Sequence, residues 1–150
     1  MNLDTGTADG QQFVTVMVAG SLIGLPILDV QDIVVPDRLA RVPRAPAAVA
    51  GLMNLRGRIV TAIDLRTLLG LPPAPAGRKR YGVTVTEGQD TYNLLVDGVG
   101  DVVVPDPDTF EPCPQTLDPR WRKVAEGVFR LPGKLMVTLD VRRVVAAAAG

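Results

Sequence analysis

The 150-residue chain is 47% hydrophobic and 21% charged, enough apolar content for one good core or two small ones in contact, and unlike a disordered chain. Lys+Arg and Asp+Glu number 16 each, so no overall field draws it to nucleic acid or anionic lipid. With no histidine and a single cysteine, Cys113, it is excluded from His-based acid/base catalysis, Ser-His-Asp and Cys-His nucleophilic pairs, and multi-cysteine metal sites.

Residues 1–12 are polar and glycine-dotted and read as a mobile tail, with no secretory leader pattern. Phe13 to Val18 is β-prone, Gly20-Ser21 marks a turn, and Leu22 to Leu28 returns, with Pro26 demanding an edge position or a bulge. Val30 to Val35 is a third strand stopped by Pro36. Arg41-Val42-Pro43-Arg44-Ala45-Pro46 is an extended loop, because a residue before proline is pushed out of helical space. Ala47 to Ala50 reads as one helical turn. Gly51 to Leu55 and Ile59 to Ile63 then make a hairpin around the basic turn Arg56-Gly57-Arg58. Asp64 offers a carboxylate to free helix N–H groups and Gly70 a left-handed exit, which brackets a short helix.

Leu71 to Gly77 is a proline-rich linker, and Arg78-Lys79-Arg80 after it reads as a solvated loop. Tyr81 to Thr86, Tyr92 to Val96 and Gly100 to Val104 are further strands, with Asp97-Gly98 the turn between the last two. Asp106 to Pro119 is a proline-rich loop, Trp121 to Ala125 a helical turn, and Val141 to Ala149 helix-prone with a frayed alanine end from residue 146. No apolar run reaches the ~18 residues that span a bilayer. With the lone cysteine fitting a reducing compartment, a cytoplasmic protein without direct membrane insertion is expected.

The chain repeats itself. Gly51, Leu55, Gly57, Asp64 and Arg66 recur 76 positions later as Gly127, Leu131, Gly133, Asp140 and Arg142, without a gap. Val14-Thr15-Val16 and Asp32-Ile33-Val34-Val35-Pro36 recur 69 positions later as Val83-Thr84-Val85 and Asp101-Val102-Val103-Val104-Pro105. Two blocks in the same order indicate an internal duplication, with copies at about 13–70 and 81–145. Many short strands with Gly/Pro turns make the fold all-β, a barrel or sandwich with few helical turns.

Chemistry is sparse. Cys113 has no identifiable base, Asp106 and Asp108 read as surface loop, and Gly98-Val99-Gly100 is too little for a dinucleotide fingerprint, so no cofactor and no enzyme are expected. Pro132 stands in the second copy where Arg56 stands in the first. If proline satisfies the same turn, Arg56 is dispensable for folding: it is either a solvated turn residue, the plainer reading, or an exposed guanidinium aimed at a partner. Val30 and Ile33, with their counterparts Val99 and Val102, are core by periodicity alone. Alternatively they line a groove near a pseudo-twofold axis that takes an amphipathic helix.

Val42-Pro43 through Pro46, Gly51, Asn54-Leu55-Arg56-Gly57, Ile63-Asp64-Leu65-Arg66, Leu95-Val96-Asp97-Gly98-Val99 and Asp101-Val102 together resemble a CheW domain over about residues 13–145. That family couples chemoreceptors to the histidine kinase CheA. The resemblance implies two five-stranded SH3-like β-barrels packed together, with possible exchange of strands between them. It further implies that a chemoreceptor's cytoplasmic hairpin tip docks near Val30, Asp32, Ile33, Gly51, Arg56, Val99 and Val102, and that the kinase's regulatory domain binds elsewhere, on residues left unassigned. A pilus or other chemosensory pathway is an alternative setting. A different alternative is a small-ligand module using the cleft between the lobes.

Overall fold

The computed structural model describes residues 10–36 and 38–150; the tail expected over 1–12 falls mostly outside them. Strands β1 (Phe13–Val18) and β2 (Ser21–Pro26) form a hairpin whose turn is Ala19-Gly20, one residue earlier than expected, with φ of 50° and 83°. Two positive φ values make the primed turn whose twist matches that of paired strands. Pro26 does not mark an edge or a bulge. It is the last residue of β2, opposite Phe13 and beyond Ile23 and Gly24, where β2 meets its other neighbour, so that ladder loses no donor. A 3-10 turn, Ile27–Asp29, then leads into β3 (Val30–Val34).

Strands β4 (Val49–Leu55) and β5 (Arg58–Asp64) form the basic hairpin, so Val49 and Ala50 are strand rather than helix. Helix α1 (Leu65–Leu68) is capped by Asp64, whose Oδ1 accepts from the amides of Arg66 at 2.9 Å and Thr67 at 3.4 Å. Next come β6 (Tyr81–Glu87), β7 (Asp90–Val96) and β8 (Gly98–Val103). Asp97-Gly98 is not a hairpin turn, because β7 and β8 belong to different sheets. The loop expected over 106–119 contains β9 (Phe110–Pro112), a strand made possible by the Phe110 ring lying 5.0 Å from that of Phe129. Helix α2 (Pro119–Val124), β10 (Ala125–Leu131), β11 (Lys134–Leu139) and α3 (Val141–Ala148) complete the chain. The alanine end is not frayed: Ala148 is buried with Val141 and Val144, one apolar face of α3 at helical spacing.

The strands form two sheets, ordered β8-β1-β2-β11-β10-β9 and β3-β6-β7-β5-β4. Each is a five-strand SH3-like unit, the first extended by β9. Each takes its first hairpin from one copy of the repeat and its remaining strands from the other. The registers repeat as well as the residues. Val30 faces Val85 and Ile33 faces Val83 in one lobe; Val99 faces Val16 and Val102 faces Val14 in the other. The parallel pairs Thr61–Tyr92 and Val137–Ile23 correspond in the same way. The duplication is therefore realised as two composite lobes.

Apolar side chains divide accordingly. Met53, Val60, Ala62 and Leu95 fill one lobe, and Phe13, Phe129 and Met136 the other. The largest cluster draws on both sheets, with Val16, Ile23 and Leu25 from one, Val83, Val85 and Leu94 from the other, and Leu65, Leu69, Val124 and Val144 from the helices. It holds the lobes together as one folding unit. No helix among the described residues is long and apolar enough to cross a membrane.

Candidate docking site at the arginine hairpin

The β4–β5 hairpin closes at Leu55 and Arg58, leaving Arg56 and Gly57 as its tip with φ of 51° and 84°. Asn54 Oδ1 accepts from the Gly57 amide at 2.8 Å and fixes the turn. The second copy does not share this geometry. Pro132 cannot enter positive φ because its ring locks φ near about −65°, and only Gly133, at 74°, is left-handed there. The expectation that proline satisfies the same turn is thus overturned: Arg56 is held in a conformation closed to proline. The same pair of positive φ values occurs at Ala19-Gly20, so it belongs to the primed two-residue hairpin turn.

An ion pair also reaches the tip. Arg56 Nη1 lies 2.6 Å from Asp32 Oδ2, joining the hairpin tip to β3, strands at opposite ends of the sheet order. Burial pushes the Asp32 carboxyl up, but the hydrogen bond from Arg56, the Thr84 hydroxyl and the Arg56 charge outweigh it and leave the group below its ordinary value. The Arg56 side chain is 71% exposed and that of Asp32 28%. An ion pair so open contributes ~0–1 kcal/mol to stability. What it achieves is a guanidinium fixed in place with most of its donor edge facing solvent.

The other expected site residues separate into three places. Ile33 follows Asp32 on the edge strand β3 and is 44% exposed, and Val102 occupies the matching place on β8, at 49%. Val30 and Val99 are half-buried and both pack against the cluster shared by the lobes. Gly51 is buried at a bulge in the β4–β5 register with φ 153°, and a Cβ there would sit 2.7 Å from the Ala40 carbonyl oxygen. It shapes the backbone beneath Ala40, which bridges to Leu52, and presents nothing to solvent. Asp32, Ile33 and Arg56 are therefore gathered on one lobe, while Val102 lies on the other.

Sequence reasoning missed Ile59, which stands opposite Asn54 beside the tip and is 65% exposed. The available signal was alternation: Val60 is buried in the lobe, so Ile59 must point out. Its counterpart Leu135 is 57% exposed. Among the described residues no group of three or more His, Cys, Asp or Glu is placed to hold a metal ion, and Cys113 is half-buried with Sγ 3.5 Å from the Ala125 carbonyl oxygen. An exposed cation on a lobe that also exposes apolar side chains can bind a protein surface.

The CheW-like domain family model matches residues 12–149. The chain is 26% identical over 142 residues to the chemotaxis protein CheW of Klebsiella aerogenes, covering 95% of this chain and 86% of that one. It is 29% identical over 113 residues to protein PilI of Pseudomonas aeruginosa, covering 75% and 63%. Among solved structures, the scaffolding protein TtCheW of Thermoanaerobacter tengcongensis superposes with a TM-score of 0.78 at 27% identity, covering 87% of this chain and 89% of that one.

Proposed function

The chain belongs to the CheW-like domain family, and from that premise we propose that it is a non-catalytic chemotaxis adaptor, coupling methyl-accepting chemoreceptors to the histidine kinase CheA within signalling arrays. The observation that carries the docking site is the Arg56–Asp32 pair: an exposed guanidinium at a hairpin tip, tied to an edge strand of the same sheet. Ile33 and Ile59 are exposed apolar side chains on the same lobe. A receptor's helical hairpin tip is the partner of this face, and the regulatory domain of CheA binds elsewhere on the molecule. The mechanism is geometric, since holding receptor and kinase in register requires no bond to be made or broken. The protein acts in the cytoplasm, recruited to membrane-associated arrays through its receptors. Calorimetry with a soluble receptor-tip fragment tests this. Arg56→Glu is expected to lower affinity about tenfold or more with an unchanged circular dichroism spectrum, and equal affinity would remove Arg56 from the site.

A second setting, a coupling protein of a pilus or other chemosensory pathway, is favoured by the likeness to PilI. Co-purification from the native cytoplasm, with the bound kinase identified, distinguishes the two. A small-ligand module between the lobes gains no support, because apolar side chains from both sheets pack together there.

A further inference from the structure

The cations of this electrically balanced chain are unevenly placed. Arg38, Arg41 and Arg44 lie in the segment joining β3 to β4, and Arg78, Lys79 and Arg80 end the linker before β6. Between these stretches runs a groove of about 390 Å³, lined by Val35, Pro36, Leu39, Arg78, Lys79 and Arg80 over Leu95. In the second copy the segment between β8 and β10 carries Asp106, Asp108, Glu111 and Asp118 as well as Arg120, Arg122 and Lys123, so its charge is mixed.

Three details give the groove a preference. Arg78 and Lys79 are exposed, and the Lys79 ammonium lies 5.4 Å from the centre of the Tyr81 ring, which restrains it at the rim. Arg80 Nη2 is 3.0 Å from Asp64 Oδ1, yet its buried Nε has no hydrogen-bond acceptor among the described residues. Val35 is 56% exposed, giving the same groove an apolar patch.

We propose that this groove binds a short acidic segment of another protein, in which carboxylates flank an apolar side chain. The carboxylates meet Arg78 and Lys79, and the apolar side chain covers Val35 and Leu39. A single-stranded nucleic acid would need aromatic platforms, and none of the lining residues is aromatic. A lipid surface would need apolar side chains standing beyond the charges, whereas Leu39 is half-buried and Leu95 buried beneath them. This site goes beyond the receptor-docking reading, since neither Arg56 nor Asp32 lines it.

The test is fluorescence anisotropy on the full chain at low salt, where surface charge is least screened, with a labelled octapeptide alternating glutamate and leucine. Binding is expected that weakens about tenfold or more in the combined Arg78→Glu, Lys79→Glu variant and with a glutamine-for-glutamate peptide. Arg56→Glu is expected to leave it unchanged. Lys79→Gln alone, at an exposed position with no backbone role, is expected to weaken it several-fold. Equal binding of the glutamine peptide, or indifference of folded variants, would overturn the proposal. So would stronger binding to single-stranded DNA or to phosphatidylglycerol vesicles. Salt-sensitive self-association of the wild type, abolished in the double variant, would instead place the chain's own acidic loop in the groove and equally overturn it.

Discussion

Arg56 is the residue at which the proposed docking role and stability can be measured apart. Glycine accepts φ near 51° without the Cβ penalty, so Arg56→Gly is expected to hold or slightly raise the melting temperature while receptor-tip affinity falls. Thermal unfolding and calorimetry on one preparation check both halves. Arg56→Pro is expected to destabilise, because the ring excludes positive φ, although proline stands at the matching position of the second copy. Gly51 behaves in the opposite way. Its φ of 153° and the Ala40 oxygen 2.7 Å from any added Cβ predict that Gly51→Ala loses about 2 kcal/mol or more in urea unfolding. The Asn-Leu-Arg-Gly pattern made the arginine turn legible. Its handedness was not legible, since residue type alone does not separate a type I′ turn from the type II turn that a Pro-Gly pair favours. Gly51 was legible as a feature but misplaced: a glycine required by a neighbouring backbone resembles one required by a partner until the neighbour is seen.

The crossover from β7 to β8 shows what an element can conceal. Asp97 reads as a turn residue, yet its carboxylate takes both Arg66 Nε at 3.0 Å and Arg66 Nη2 at 2.7 Å, with side chains only 7% and 8% exposed. The Ala19 amide donates to the same carboxylate at 2.6 Å, and Arg66 Nη1 donates to the Pro72 carbonyl at 2.7 Å. One buried pair thereby ties α1, the linker, the β1–β2 turn and the crossover together. Repeat comparison could not reveal it, because the counterparts of Arg66 and Asp97 are exposed: Arg142 in the second copy and Leu28, 94% exposed, in the first. Asp97→Ala is expected to cost about 3–5 kcal/mol, since it strands a buried guanidinium. Burial pushes the Asp97 carboxyl up, but the Arg66 hydrogen bonds, the Ala19 amide and the charges of Arg66 and Arg78 outweigh it and hold the group below its ordinary value. A carboxyl depressed by folding stabilises fully above its unfolded value of about 3.9 and loses that contribution as pH falls through the folded value. Urea midpoints are therefore expected to fall below about pH 4, and Asp97→Asn to flatten that part of the profile.

The whole molecule is a duplicated sequence that does not fold as two halves. Repetition at 76 and 69 positions was readable because equivalent strands face equivalent neighbours and retain the same side-chain types. Which copy supplies which strand was not readable, since both assignments bury the same apolar faces and only long-range pairing decides between them. Because each sheet draws strands from both copies, fragments 1–75 and 76–150 are expected to be unfolded alone and to regain β-sheet circular dichroism when mixed; either fragment folding by itself would contradict the composite lobes. A single frame of this kind suits an adaptor, which must present one partner to another at a fixed angle. The most direct measurement is receptor-controlled phosphorylation by CheA reconstituted with receptor-containing membranes and this protein. Stimulation is predicted with the wild-type chain and its loss with folded Arg56→Glu, whereas equal kinase activity with the variant, or without the chain, would contradict coupling through this face.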